Sequence, residues 1–238
     1  GRYISSVQSI YNSIFLTRFA KTVKNCIILT SAPLKNNGLL DKIISPKSIF
    51  IYGGSKGREF MDRKGKIYKL LPEKMGREKI EKLKEEIKKI INKPGYKVFL
   101  TVGSGLQIKI GEITIAKQDI YGSIPEKKSK KLKEEIKKII NKVDPKNEFF
   151  SISDTGLDIE ITLKTKNKNG NLKKFDKGDG IDFIINTLNL NVKGNTLVCG
   201  DTESDIPIVK NLLNRTKNIW CIFVTQNGRL KKKIKNVC

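Results

Sequence analysis

Residues 195–209 read NTLVCGDTESDIPIV. A short apolar run ends at Gly200, carboxylates follow at Asp201 and Asp205, and Pro207 stands where a helix would begin. Proline suits a first helical turn because its missing N–H would be unpaired there anyway. The stretch predicts strand, tight turn and helix, with both aspartates at the strand's carboxyl end. Ligands of open α/β sheets bind at that end, and hard carboxylate oxygens beside a helix start suit Mg2+ better than a soft metal. Two helix-capping aspartates would look the same, so the pattern alone leaves both readings open.

Outward from this stretch, short apolar strands alternate with helices. A helix is expected from about Ser6 to Lys24, strands at Asn25 to Thr30 and Ser48 to Gly53, and a helix near Gly180 to Leu190. The strand at Asn195 to Gly200 follows, then a helix near Asp205 to Asn214 and a strand at Asn218 to Thr225. This alternation is the grammar of an α/β fold.

The middle of the chain follows another rule. KLKEEIKKIINK occurs at 82–93 and again at 131–142, an exact repeat. Leu83, Ile87, Ile90 and Ile91, like Leu132, Ile136, Ile139 and Ile140, recur at helical spacing opposite Lys and Glu, so each copy is an amphipathic helix lying on something. The first is expected to start at Pro72 and end before Pro94, the second to start near Ser123 with Glu126 completing a capping box. Alternating segments follow each helix: Val98 to Gly103 and Leu106 to Ile115, then Phe149 to Ser153 and Leu157 to Leu163. The expected order is α-β-β-α-β-β, two helices over one face of a four-stranded antiparallel sheet. By strand parity Gln107, Lys109, Asp158 and Glu160 point to the opposite face, either as a polar floor for a ligand or as a solvated surface. The expected division is core 1–71, inserted unit 72–165, core 166–238.

Two further stretches carry polar groups. In CIILTSAP, Thr30 ends a strand and the turn exposes a hydroxyl and N–H groups that can hold a phosphate oxygen, or simply stop the strand. In FDKGDG, Lys177 stands at a helix start, where a cation and the helix N-terminus could face one anion. Arg58 and Glu59, in GGSKGRE, fall where the two units should meet and would contact substrate or act as a hinge.

Strand-borne Thr, then Lys before a helix, then GDxxxD after a strand resembles motifs II, III and IV of haloacid dehalogenase-like phosphatases. Together RYISSVQSIYNSIFLTRFAKT, LTSAPLKNNGLLD, YGGSKGREF, VGSGLQIK, FDKGDGI and LVCGDTESDIPIV resemble the nematode-type trehalose-phosphatases over nearly the whole chain. The resemblance implies Mg2+-dependent hydrolysis of trehalose 6-phosphate to trehalose, on a Rossmann-like core closed by an inserted α+β cap. It implies that Thr30 bonds the phosphoryl oxygens, that Lys177 neutralises charge, and that Asp201 binds Mg2+ with Asp205 supporting it directly or through water. Gln107, Lys109 and Glu160, with Asp158 as a further candidate, would face the glucose rings, and Arg58 and Glu59 would lie at the substrate cleft.

Members of the family attack phosphorus with the first Asp of a DxD motif and form an aspartyl-phosphate, the second Asp serving as acid and base. No DxD occurs in the 238 residues. The expectation is an upstream truncation that leaves the core without its central strand, between the strands ending at Thr30 and Gly200, and leaves this segment inactive alone. The end at Cys238 is likewise expected to precede a final strand and helix.

Composition bounds the alternatives. With 38% hydrophobic and 30% charged residues, the chain is neither collagen-like nor wholly disordered. No apolar run approaches the roughly 18 residues of a membrane span. Cys26, Cys199, Cys221 and Cys238 lack CxxC spacing, which points to reduced thiols, a cytoplasmic setting and no zinc. The net charge of +24 sets 41 Lys and seven Arg, spread along the chain, against 24 acidic residues, with aromatics at 7%. That describes a solvated lysine coat better than a nucleic-acid site, which favours clustered Arg and stacking platforms. The expected partner is a small sugar phosphate, with no nucleic acid and no membrane, and the oligomeric state is left open. Other readings are a related capped phosphatase acting on sucrose, mannosylglycerate or another sugar phosphate, a non-catalytic relative that binds sugar phosphate, and, remotely, a basic nucleic-acid-binding module.

Overall fold

The computed structural model describes residues 8–36, 38–166 and 170–237. It opens with helix α1 (Ile10–Ala20), capped by the Ser9 hydroxyl, which accepts the Asn12 N–H. The onset near Ser6 lies outside the described residues. Strands β1 (Ile27–Leu29), β2 (Ile51–Gly54), β3 (Glu59–Met61) and β4 (Ile67–Lys69) form a sheet in that order, parallel at β1–β2 and antiparallel thereafter. The β3–β4 hairpin escapes a search for long alternation because each strand is only three residues. Its turn is set by Asp62, whose carboxylate accepts the N–H groups of Lys64 and Lys66, and by Gly65 at φ 83°.

The middle unit begins with α2 (Lys74–Ile91), continues through β5 (Leu106–Lys109) and β6 (Glu112–Ala116) to α3 (Glu126–Val143), and ends with β7 (Phe150–Asp154) and β8 (Asp158–Lys166). Its sheet runs β5-β6-β8-β7, antiparallel throughout, and β9 (Leu172–Lys174) adds to β8. Both copies of the repeat place their apolar stripe on this sheet. Leu83, Ile87 and Ile91, and Leu132, Ile136 and Ile140, pack with Ile113, Ile115, Ile159 and Ile161 in one core. Each such side chain contributes about 1.5–3 kcal/mol on leaving water.

Three local expectations are corrected. Residues Lys97–Leu100 form a 3-10 helix rather than a strand. The stretch 106–115 is two strands, because Gly111 at φ 69° turns the chain back after Lys109. Finally, α3 starts three residues later than Ser123 and has no side-chain cap. The Ser123 N–H is instead held by the Asp119 carboxylate, which gathers the preceding turn.

The chain closes with α4 (Lys177–Thr187), β10 (Thr196–Gly200), α5 (Ile206–Leu213), β11 (Ile219–Phe223) and α6 (Gly228–Lys235). Strands β10 and β11 are parallel partners. Among the described residues β1 pairs only with β2, and β10 only with β11. Helix α4 links the two sheets: Ile184 packs on Ile51 and Phe60, while Ile181 and Ile185 join Val198 and Val209. No described helix is long and apolar enough to cross a membrane. Cys26 and Cys199 are free thiols, and Cys238 lies outside the described residues.

The first turn of α4 lies directly against the loop after β2. A Cβ built on Gly180 would stand 1.9 Å from the Lys56 carbonyl oxygen, and one on Gly57 would stand 2.5 Å from the Gly180 Cα. Backbone cannot yield as a flexible side chain can, so Gly180→Ala is expected to cost at least about 1–3 kcal/mol, as overpacking generally does. Urea unfolding checks this; an unchanged midpoint would show that the contact is loose.

Candidate active site

Thr30 directly follows β1. Its N–H donates to the Gly53 carbonyl (2.9 Å), its own carbonyl accepts the Lys56 N–H (2.9 Å), and its hydroxyl oxygen accepts the Ala32 N–H at 3.2 Å. Lys177 opens α4, where Asp176 caps the helix by accepting the Gly178 and Asp179 N–H groups. The buried Lys177 ammonium meets Asp205 Oδ1 at 2.5 Å. Asp205 Oδ2 accepts the Asp201 N–H, the Thr202 N–H and the Thr202 hydroxyl at 3.1–3.2 Å. Burial alone would raise the Asp205 carboxyl, but Lys177 and these N–H donors hold it below its ordinary range. Glycine is needed at 200 because a Cβ there would lie 2.7 Å from that of Asp205.

Asp205 therefore has both oxygens engaged, fixing Lys177 and the 200–205 turn. Asp201 is exposed beside it. No group of three or more ligating side chains occurs among the described residues. The donors present fit Mg2+ in the mode that uses one carboxylate, from Asp201, with phosphate oxygens and water completing the shell.

The polar face of the middle sheet carries two cross-strand rows. Gln107, Thr114, Glu160 and Ser153 are paired in one, and Lys109, Glu112, Thr162 and Ser151 in the next. Gln107 and Glu160 thus share a row with Thr114 between them, while Lys109 belongs to a buried cluster, its ammonium 2.7 Å from Glu112 and 2.8 Å from the Thr114 hydroxyl. Asp158 accepts the Ser104 hydroxyl at 2.6 Å, and burial pushes its carboxyl up.

Opposite these rows stands Lys56. Its ammonium lies 2.5 Å from Glu112 and 3.2 Å from Glu160, and Glu160 also takes Lys174 at 3.0 Å. Burial opposes the charge on Glu112, yet Lys109 and Lys56 outweigh it and hold the carboxyl at about 2. Burial likewise opposes Glu160, where Lys56 and then Lys174 keep the carboxyl below its usual range.

Arg58 and Glu59 both make contacts within the protein at this junction. The buried Arg58 guanidinium sits 4.0 Å over the Phe175 ring and donates to the Leu163 carbonyl, wedged under Gly111 where the two units meet. Burial lowers it to about 10. Glu59 accepts the Ser55 hydroxyl (2.6 Å) and the Leu34 N–H (3.1 Å), tying together the loops after β1 and β2. A cleft of about 1100 Å³ opens beside them, lined by Leu34, Glu59, Lys69, Arg77 and Lys109; Thr30, Lys177 and Asp201 are not among its walls.

The sequence reading missed Lys56, Glu112, Thr114, Thr162 and Lys174. Glu112 and Thr114 were legible in principle: once Gly111 is taken as a hairpin turn, strand parity puts both on the face of Lys109. Lys56 carried only the weak signal of Ser-Lys between glycines.

A strand-end threonine, a buried Lys–Asp pair and a polar sheet face tied by Lys56 to the turn after β2 define a two-unit α/β protein with polar groups gathered at the junction. Comparison with known proteins narrows this. The family model for the C-terminal domain of trehalose-6-phosphate phosphatase matches residues 1–238, and the chain belongs to that family. A Caenorhabditis elegans protein named alpha,alpha-trehalose-phosphate synthase [UDP-forming] 2 is 37% identical over 99% of this chain and 19% of its own length. The trehalose-phosphatase of Brugia malayi is 28% identical over 100% of this chain and 49% of its own length. The chain thus spans about a fifth of the former and half of the latter. A crystal structure of a trehalose-6-phosphate phosphatase related protein shares the fold at a TM-score of 0.58, with 12% identity, covering 98% of this chain and 88% of that one.

The Glu112 cluster makes stability depend on acid. A carboxyl held at about 2 in the folded chain against 4.5 ordinarily adds stability that is present above pH 4.5 and lost as pH falls through 2. The contribution is at most about 3 kcal/mol from a shift of that size. Glu112→Gln is expected to flatten the loss of stability across that window, read by urea unfolding at several pH values; an acid limb as steep as in the parent would contradict it.

Proposed function

We propose that this chain is the trehalose 6-phosphate-binding part of a Mg2+-dependent phosphatase of haloacid dehalogenase type. Residues 1–71 and 166–238 act as its core, lending β9 to the cap sheet, and 72–165 act as its cap. The observation that carries the reading is Lys56, whose ammonium bonds Glu112 and Glu160 on the polar sheet face, whose N–H bonds the Thr30 carbonyl, and whose carbonyl lies against Gly180 in the helix that presents Lys177 to Asp205. The phosphate end would be met by the Thr30 hydroxyl and the Lys177 ammonium, and the sugar end by Gln107, Asp158 and Glu160, with Lys109 behind them. Bound Mg2+, held by Asp201, would neutralise charge on the phosphoryl oxygens. Phosphoryl transfer needs chiefly positioning and cations aimed at those oxygens, which is what these residues can supply. Asp205 keeps Lys177 in place, and Arg58 and Glu59 brace the loops around the junction.

Hydrolysis also needs a nucleophile, and the 238 residues contain no DxD. The chain alone is therefore expected to bind its sugar phosphate without cleaving it. Calorimetry with trehalose 6-phosphate and Mg2+ tests this. Binding is expected, weakened about tenfold or more in Lys177→Met, because a charge-assisted contact to phosphate is lost. Absence of binding in a folded chain would remove the basis of the reading.

A second reading is favoured by the 37% identity to a protein named as a synthase: a non-catalytic domain that binds the sugar phosphate. The two separate on phosphate release by the full-length protein. Release of phosphate from trehalose 6-phosphate supports the phosphatase, and binding without release supports the non-catalytic domain.

A further inference from the structure

Lys56 touches both units where they meet. Its side chain reaches Glu112 and Glu160 on the middle sheet. Its N–H is bonded to the Thr30 carbonyl, and its own carbonyl lies against Gly180, three residues into the helix that Lys177 begins. The turn that presents it is strained: Ser55 (φ 52°), Lys56 (φ 58°) and Gly57 (φ 94°) all occupy the left-handed region, two of them with side chains. A non-glycine residue there costs about 1–2 kcal/mol, so the turn persists because its surroundings hold it. The holding contacts are Ser55 to Glu59, the Lys56 N–H to Thr30, and the ammonium to the sheet carboxylates.

We propose that Lys56 is a positioning residue that couples engagement of the polar sheet face to the geometry of the phosphate end, by locking the 55–57 turn against Thr30 and the first turn of α4. This rests on the reading of the junction as a sugar-phosphate site. With Glu112 and Glu160 in contact, the turn is pinned and Thr30 and Lys177 keep their relation. When the sheet withdraws, the ammonium loses its partners, the strained turn relaxes, and the phosphate end loosens. The residue acts through its neighbours and needs no contact with the ligand.

Hydrogen exchange at the Lys56 and Gly180 amides tests the coupling without any ligand. Glu112→Gln and Glu160→Gln change the sheet only; each is expected to speed exchange at both core amides, by about tenfold for Glu112→Gln, as local opening becomes easier. Lys56→Met should do the same, and Lys56→Met with Glu112→Gln together should exceed neither alone, since partners in one interaction are not additive. Unchanged exchange at Lys56 and Gly180 in folded Glu112→Gln overturns the proposal. Should Glu112→Gln fail to fold, Glu160→Gln, with its half-buried carboxylate, decides by the same readout. Affinity for trehalose 6-phosphate gives a second arm, with Glu112→Gln and Lys56→Met each weakening it by the same factor, about tenfold; unequal factors count against the coupling. A parent chain that binds no trehalose 6-phosphate sinks the sugar-phosphate reading, while exchange still decides the coupling.

Discussion

The junction depends on a lysine ammonium being more favourable between two carboxylates of another unit than in water. Removing an ammonium and a carboxylate from water costs several kcal/mol per ion, and the attraction offsets this only when geometry is good and the remaining hydrogen-bonding positions are filled. Both conditions hold at Lys56 and Glu112. One oxygen of Glu112 takes Lys109 and the other takes Lys56 and the Thr162 hydroxyl, with Thr114 beside them. A hydrophobic contact of similar area would hold the units together but would not care where along the sheet they met. The ion cluster sets that position, because only where Lys56 stands over Glu112 and Glu160 are all three charges paired, and an unpaired buried charge is costly.

The same economy of space governs the other side of Lys56. Gly57 and Gly180 let two backbones come closer than any side chain would permit. The middle sheet, the turn after β2 and the start of α4 are thereby stacked in direct contact. The groups proposed to grip phosphate lie at the ends of elements whose interiors are packed: Thr30 after β1, and Lys177 ahead of Ile181, Ile184 and Ile185. Rigid elements holding short polar ends suit a reaction that gains mostly from placement.

How much of this could be read beforehand varies with the type of signal. The twelve-residue repeat announced α2 and α3 because an apolar stripe at 3.6-residue spacing has few other outlets. The strand–turn–helix at 196–213 was legible from Gly200 and Pro207, whose backbone limits are local. The β3–β4 hairpin and β9 were not, since three residues are too few to show a period. The stretch 97–100 misled, because Val, Phe and Leu in succession look like a strand, yet tertiary packing of Phe99 into the middle core settled a 3-10 helix. Thr30, Lys177 and Asp201 stood out by their place at element ends. Lys56 did not, being one of 41 lysines until its partners were known.

By itself the sequence determined the elements with local causes: amphipathic helices, apolar strands, glycine turns, and the outward parity of Gln107, Lys109, Asp158 and Glu160. Only the tertiary structure decided which charges meet. Lys56 with Glu112 and Glu160 joins residues 56 and 104 positions apart, and Lys177 with Asp205 joins residues 28 apart. No local rule encodes such pairs; they form because packing brings the groups out of water together, and a buried charge must then find its opposite.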